Sequence, residues 1–260
     1  MKYNYHTHTA RCMHAVGTDE QYVVAAIAAG FEKIGFSDHC PWNFKNFTST
    51  MRMHAKELEE YVASISELRE KYKDKIDIKI GFECEFYEPL MPWLESKVRE
   101  NKIDYLILGH HFNYPEHSSP YYGETTDPQE VMNYANEVVK AVETGLFSYI
   151  AHPDLFMRTY PTFDETCKKA SRKIIQAAIN HDIPVEYNLL GLRNQLVYGS
   201  QTYPYHSFWE LVSEMGAKAI IGLDVHDPEH FNSDYLYDFA HKTLSELEIP
   251  LVEQIKMFEY

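Results

Sequence analysis

Residues 1–14 read Met1-Lys2-Tyr3-Asn4-Tyr5-His6-Thr7-His8-Thr9-Ala10-Arg11-Cys12-Met13-His14. Tyr3 and Tyr5 alternate with polar neighbours, which predicts a short strand over Lys2 to Tyr5. Period-2 geometry then points His6 and His8 to one side of the chain. Two adjacent imidazoles can hold one divalent cation, and His14, a loop later, can serve that ion or a second one. A His-x-His pair alone is weak evidence, because two surface histidines at a strand end give the same pattern. Its weight comes from what ends the later strands.

Outward from this stretch, strand and helix alternate. Thr18 and Gln21 have capping-box spacing, Val23, Val24, Ile27 and Ala28 carry the helical period, and Gly30 stops the helix. Strands are predicted at Phe31–Ser37, Ile76–Phe82, Ile103–Leu108, Phe147–Ala151, Ile183–Tyr187 and Lys218–Leu223. Helices are predicted at Ala55–Tyr72, Leu90–Glu100, Asp127–Thr144, Asp164–His181, Ser207–Met215 and Ser233–Leu247. The sequence Ile103 to Leu108 is continuously apolar, as expected of a strand buried on both faces. Seven alternations without a linker, a repeat or a low-complexity segment imply a parallel sheet wrapped by helices. The expected fold is α/β, a closed or nearly closed barrel forming a single domain over residues 1–260.

In such a barrel the chemistry sits at the C-terminal ends of the strands. Those ends carry His6 and His8, His39, Glu83, His111, His152, and Asp224 with His226. Each has an ordinary explanation alone, but six strand ends of seven offering such side chains point to one metal-binding rim. With His14 the donors number nine, too many for one ion. Shared through a carboxylate, they suit two or three divalent ions about 3.5–4 Å apart, the arrangement for phosphoryl-ester cleavage by a bridging hydroxide. Imidazole with carboxylate suits Zn, and also Fe or Mn.

The bulk composition narrows the partners. There are 39 acidic and 24 basic residues among 260, a formal charge of −15. That field repels polyanions, so nucleic acid and anionic membrane are excluded as partners. An anionic substrate then needs positive charge concentrated locally, from metal ions or arginines. No G-x-G-x-x-G or G-x-x-x-x-G-K-[ST] follows any strand, so nucleotide binding of those types has no support. Cys12, Cys40, Cys84 and Cys167 read as buried free thiols, with Cys12 close enough to His14 to act as a soft ligand. No signal segment and no run of 18 apolar residues occurs, so a cytoplasmic location is expected. The oligomeric state stays open.

The ordered motifs His6-Thr7-His8-Thr9, Ser37-Asp38-His39, Gly81-Phe82-Glu83, Gly109-His110-His111-Phe112, Ala151-His152-Pro153-Asp154, Glu186-Tyr187-Asn188 and Leu223-Asp224-Val225-His226 resemble those of the PHP (polymerase and histidinol phosphatase) family, and within it the monofunctional histidinol-phosphate phosphatases. The resemblance runs from residue 2 to about residue 230. It implies a distorted, TIM-like (β/α)7 barrel, a trinuclear site and hydrolysis of L-histidinol phosphate in histidine biosynthesis. His6, His8, Glu83 and Asp224 would hold the first ion, Glu83 would bridge to a second at His111 and His152, and His14, His39 and His226 would hold the third. Glu83 and Asp224 would thus be catalytic, with His110 a mere neighbour of His111. Where the family often has Ser-Asp-Ala-His, this chain has Leu223-Asp224-Val225-His226, which keeps both ligands.

Arg11, Arg158 and Arg193 follow rim motifs and suit bidentate phosphate binding. The resemblance favours that role most for Arg158 and Arg193, as catalytic groups too. Asp38, Glu85, Glu116 and Asp154, with Trp42, Phe44, Tyr114 and Tyr121, are candidates to receive a cationic, imidazole-bearing alcohol. The alternatives are a phosphatase for another small phosphomonoester or phosphotyrosine, and a non-catalytic metal-binding module.

Overall fold

A computed structural model describes residues 2–199 and 202–260. Seven strands are found among them: β1 Tyr3–Asn4, β2 Lys33–Phe36, β3 Asp77–Cys84, β4 Tyr105–Leu108, β5 Tyr149–Ile150, β6 Val185–Asn188 and β7 Ala219–Gly222. All pair in parallel, each with its neighbour in sequence. The connecting helices are α1 Asp19–Ala28, α2 Leu58–Tyr72, α3 Met91–Glu100, α4 Pro128–Glu143, α5 Glu165–Asn180, α6 Leu189–Tyr198, α7 His206–Met215 and α8 Asp234–Glu246. The expected distorted (β/α)7 barrel is therefore the observed architecture. None of these helices is long and apolar enough to cross a membrane.

Local sequence accounts for the boundaries. Thr18 and Gln21 form the capping box of α1. Asp127 and Asp164 cap α4 and α5 by accepting from Gln129 N and Cys167 N. Helix α6 falls where the sequence pattern predicts no helix. The structure uses Asn188 as its N-cap, the side chain accepting from Gly191 N at 2.9 Å.

Closure is where the barrel departs from regularity. Strand β1 is two residues long, and its link to β7 is a single bridge between Thr7 and Val225. The Asn4 side chain fills in for missing backbone: Oδ1 accepts from Leu223 N at 3.0 Å, and Nδ2 donates to His6 O and Thr7 Oγ1. At the N-terminal mouth, Tyr5, Tyr105, Ile107, Tyr149, Ala151 and Ile220 fill the interior, and Val252, Ile255 and Met257 pack beneath them. The helices cover the outside through a second, larger apolar layer. The C-terminal ends are thereby left as the polar face, where the rim loops converge.

Candidate metal centre

Glu83, near the end of β3, is the hub of the rim. It is 1% exposed, and its carboxylate meets five imidazoles, among them His8, whose Nε2 lies 3.4 Å from Oε2. His152 Nε2 lies 2.7 Å from Oε1, His39 Nδ1 3.0 Å from Oε2, and His6 Nε2 and His111 Nε2 each 3.5 Å from Oε1. A Cβ at Gly109 would fall 2.0 Å from Glu83 Oε1, so the residue after β4 has to be glycine for the carboxylate to reach the centre. Asp224 is the second hub, with Oδ1 at 3.2 Å from His8 Nε2 and 3.4 Å from His6 Nε2. Both Asp224 (φ 52°) and His152 (φ 28°) sit in the left-handed region, which L-residues occupy at a cost of about 1–3 kcal/mol. The fold thus strains the backbone at two places where side chains turn inward.

The imidazoles are oriented from behind. His6 Nδ1 lies 2.8 Å from Glu186 Oε1, and His111 Nδ1 lies 3.1 Å from Glu85 Oε1. His14 Nδ1 lies 2.7 Å from Cys12 O, and His226 Nδ1 lies 3.2 Å from Asp224 O. With Nδ1–H donating, each Nε2 is left bare toward the cleft, as metal-ligating histidines require. Burial pushes the Glu83 carboxyl up, but His111, His6 and His39 together hold it well below the carboxylate range. Asp224 is likewise raised by burial and held far lower by His6, His8 and His226.

Several buried atoms here face one another without the alignment of a hydrogen bond: His6 Nε2, His8 Nδ1 and Nε2, His39 Nδ1, Glu83 Oε2 and Asp224 Oδ1. Leaving each unsatisfied costs about 1–3 kcal/mol. Five overlapping groups of three donors lie within coordination reach: His6–His8–Glu83, His6–His152–Asp224, His39–Glu83–His111, His14–His39–His226 and His8–Cys12–His226. Nitrogen and carboxylate donors in such sets fit divalent cations, which would satisfy the orphaned atoms and separate the two carboxylates.

All nine expected ligand residues therefore converge. Cys12 joins them; burial raises its thiol, but His14 and His8 outweigh that and lower it. His110 does not join them. Its Nδ1 accepts from Phe86 N at 3.1 Å, its ring lies against Tyr122 and Tyr134, and burial pushes its pKa down to about 3.

The donors open into a cleft of about 310 Å³ walled by Met51, Phe112, Tyr121, Leu155, Leu190 and Tyr203. A groove of about 1410 Å³ along α4 and α5 contains none of the donors, so size does not mark the site. Arg158 stands beside the cleft, its guanidinium 5.6 Å over the Tyr121 ring and its side chain 43% exposed. Arg193 is on α6, three residues past Leu190, and donates to Ser233 Oγ. Three residues in a helix place the two on one face.

Arg11 does not fit the phosphate-binding expectation. Its guanidinium is bidentate to Asp19 at 2.8 Å and bonds Glu60 through Nε and Nη2 at 2.8 and 2.9 Å, so its charge is neutralised away from the cleft. The four carboxylates expected to meet a cationic alcohol are also closed. Asp38 bonds Thr9, Glu85 and Glu116 bond Arg52, and Asp154 accepts from Tyr205 N at 2.6 Å. Trp42 is buried, donating Nε1–H to Glu85, Phe44 packs on Phe47, and Tyr114 on Tyr87. Tyr121 alone of that set lines the cleft.

Glu186-Tyr187-Asn188 has no role that its sequence pattern alone assigns. Glu186 is fully buried, orients His6, and accepts from His152 N at 3.0 Å. Asn188 Nδ2 donates to Glu186 at 2.8 Å and to Asp224 at 3.1 Å. Two polar residues spaced by two in a buried strand were the available signal.

The PHP domain model matches residues 4–189, more than half of the chain. A "probable histidinol-phosphatase" of Deinococcus radiodurans is 27% identical over 230 residues, covering 86% of this chain and 85% of that protein. A histidinol-phosphatase of Bacillus subtilis is 24% identical over 223 residues, covering 75% and 82%. The crystal structure of histidinol phosphate phosphatase from Lactococcus lactis subsp. lactis, complexed with zinc, L-histidinol and phosphate, superposes with a TM-score of 0.75 at 19% identity, covering 99% of each chain. That structural likeness speaks to the fold, and the domain match to the lineage: this chain belongs to the PHP family.

Proposed function

We propose that this chain is a metal-dependent phosphomonoesterase that hydrolyses L-histidinol phosphate to L-histidinol and phosphate. The observation that carries the reading is the convergence of nine imidazole and carboxylate residues around Glu83 and Asp224, at the floor of an open cleft flanked by Arg158. Two or three ions, zinc foremost with iron or manganese also suited, would be held as His6–His8–Glu83–Asp224, Glu83–His111–His152 and His14–His39–His226. The recurrence of Glu83 in two donor groups supports its sharing between ions, and the groups His6–His8–Glu83 and His14–His39–His226 each fall within one of these sets. When bound, such ions activate water as a nucleophile and neutralise phosphoryl oxygens.

The chain's own residues do the rest. Glu186 and Glu85 hold the His6 and His111 rings with Nε2 inward. Arg158 and Arg193 clamp the phosphoryl oxygens and supply the positive charge that a chain of −15 otherwise lacks. The organic half of the substrate meets Met51, Phe112, Tyr121 and Tyr203, and the tyrosine faces suit an ammonium or imidazolium. The relatives named histidinol-phosphatase support this choice of alcohol.

The test is substrate discrimination. The kcat/KM for histidinol phosphate is expected to exceed that for p-nitrophenyl phosphate and nucleoside monophosphates at least about a hundredfold, or about 2.7 kcal/mol. Similar rates on all three would keep the chemistry and remove the substrate assignment.

A further inference from the structure

Arg52 is 1% exposed and lies outside every donor group of the rim. It belongs to the long segment between β2 and α2, yet besides Cys40 of its own segment it contacts two other pieces of chain. Nη1 donates to Glu85 Oε2 at 2.9 Å and to Cys40 O at 3.2 Å, and Nη2 donates to Glu85 Oε1 at 2.8 Å and to Glu116 Oε2 at 2.6 Å. The remaining carboxylate positions are filled by neutral donors: Trp42 Nε1 on Glu85, and Tyr87 Oη and Ser49 Oγ on Glu116. One guanidinium therefore fastens the segments around residues 40–52, 85–87 and 111–116.

Two of those segments reach the cleft. Glu85 Oε1, which accepts from Arg52 Nη2, is the same oxygen that faces His111 Nδ1 at 3.1 Å. Met51, next to Arg52 in sequence, is part of the cleft wall. A bidentate arginine fixes the plane of its carboxylate partner, which a lysine, as a point charge, does not. We propose that Arg52 is a positioning residue for the metal centre: it fixes the Glu85 carboxylate so that His111 donates Nδ1–H to it and turns Nε2 toward Glu83. The inference rests on the metal-centre reading, and it adds a residue that touches neither ion nor substrate.

Arg52→Met would leave two buried carboxylates uncompensated and risks losing the fold, so the informative variant is Arg52→Lys, which keeps the charge and removes the fork. Zinc is titrated into metal-free full-length protein against a chromogenic chelator, with circular dichroism to follow folding. Glu85→Gln and Arg52→Lys are each expected to weaken the same zinc equivalent about tenfold or more, leaving the others unchanged. The double variant is expected to bind no more weakly than Glu85→Gln alone, since both changes remove one interaction. Wild-type affinity in Arg52→Lys, or losses that multiply in the double variant, would overturn the positioning role. Wild-type protein that takes up no zinc would overturn the metal centre itself, and this inference with it.

Discussion

The two ends of the barrel both bury the side chains of their strands and are built in opposite ways. At the N-terminal mouth the strands present Tyr5, Tyr105, Ile107, Tyr149, Ala151 and Ile220, an aromatic and aliphatic plug. Tyr105 Oη lies 2.7 Å from Tyr5 O, and among these described residues the Tyr5 hydroxyl is the lone polar side-chain atom without a partner. At the C-terminal rim the same strands run into His6, His8, His39, Glu83, His111, His152 and Asp224, all buried and several left with orphaned atoms. The lesson is a division of labour along the strand: one end holds the fold together, and the other keeps coordination capacity free at a cost in stability.

The sharpest way to break this comparison is Glu83→Gln. A neutral amide bridges ions poorly, so loss of at least one metal equivalent and a fall in kcat/KM of at least about a thousandfold, about 4 kcal/mol, are expected. Elemental analysis showing full metal content, with unchanged rate, would end the idea of Glu83 as hub.

Arg158→Ala and Arg193→Ala probe the cleft margin. Each should lower kcat/KM by about 10² to 10³, about 2.7–4 kcal/mol, with little change in Tm. Wild-type kinetics in both would remove the phosphate clamp while leaving the metal centre intact. Chelation should act on the rim alone. Protein at free zinc a hundredfold above Kd gains about 2.7 kcal/mol over the metal-free form, so Tm should fall on metal removal and recover on zinc addition. A Tm indifferent to chelator would mean that the orphaned atoms hold no ion.

The smallest effect belongs to the other end. Tyr105→Phe removes a hydroxyl that satisfies the Tyr5 carbonyl and should cost about 1 kcal/mol in denaturant unfolding. Metal content and kcat/KM should stay at wild-type values. A loss of activity at unchanged metal content would show that the two ends are coupled.

Sequence by itself determined the seven alternations, the fold class and the donor types at the strand ends. These follow from hydrophobic period, helix caps such as Thr18 and Asp164, and side chains whose chemistry is legible one residue at a time. Tertiary structure alone decided which charges remain available. Arg11 and Arg158 look alike beside their motifs, but Asp19 and Glu60 arrive to saturate the first, while the second lies over Tyr121 with one long, exposed contact to Glu124 at 3.4 Å. Glu85 and Glu116 likewise read as free carboxylates until Arg52, 33 and 64 positions away, closes them. Barrel closure through the Asn4 side chain links residues 219 positions apart. The physical reason is that periodicity and capping are local along the chain, whereas the choice of partner for a charge or an orphaned hydrogen-bonding group is made across the barrel, between segments that meet only when the strands are in register.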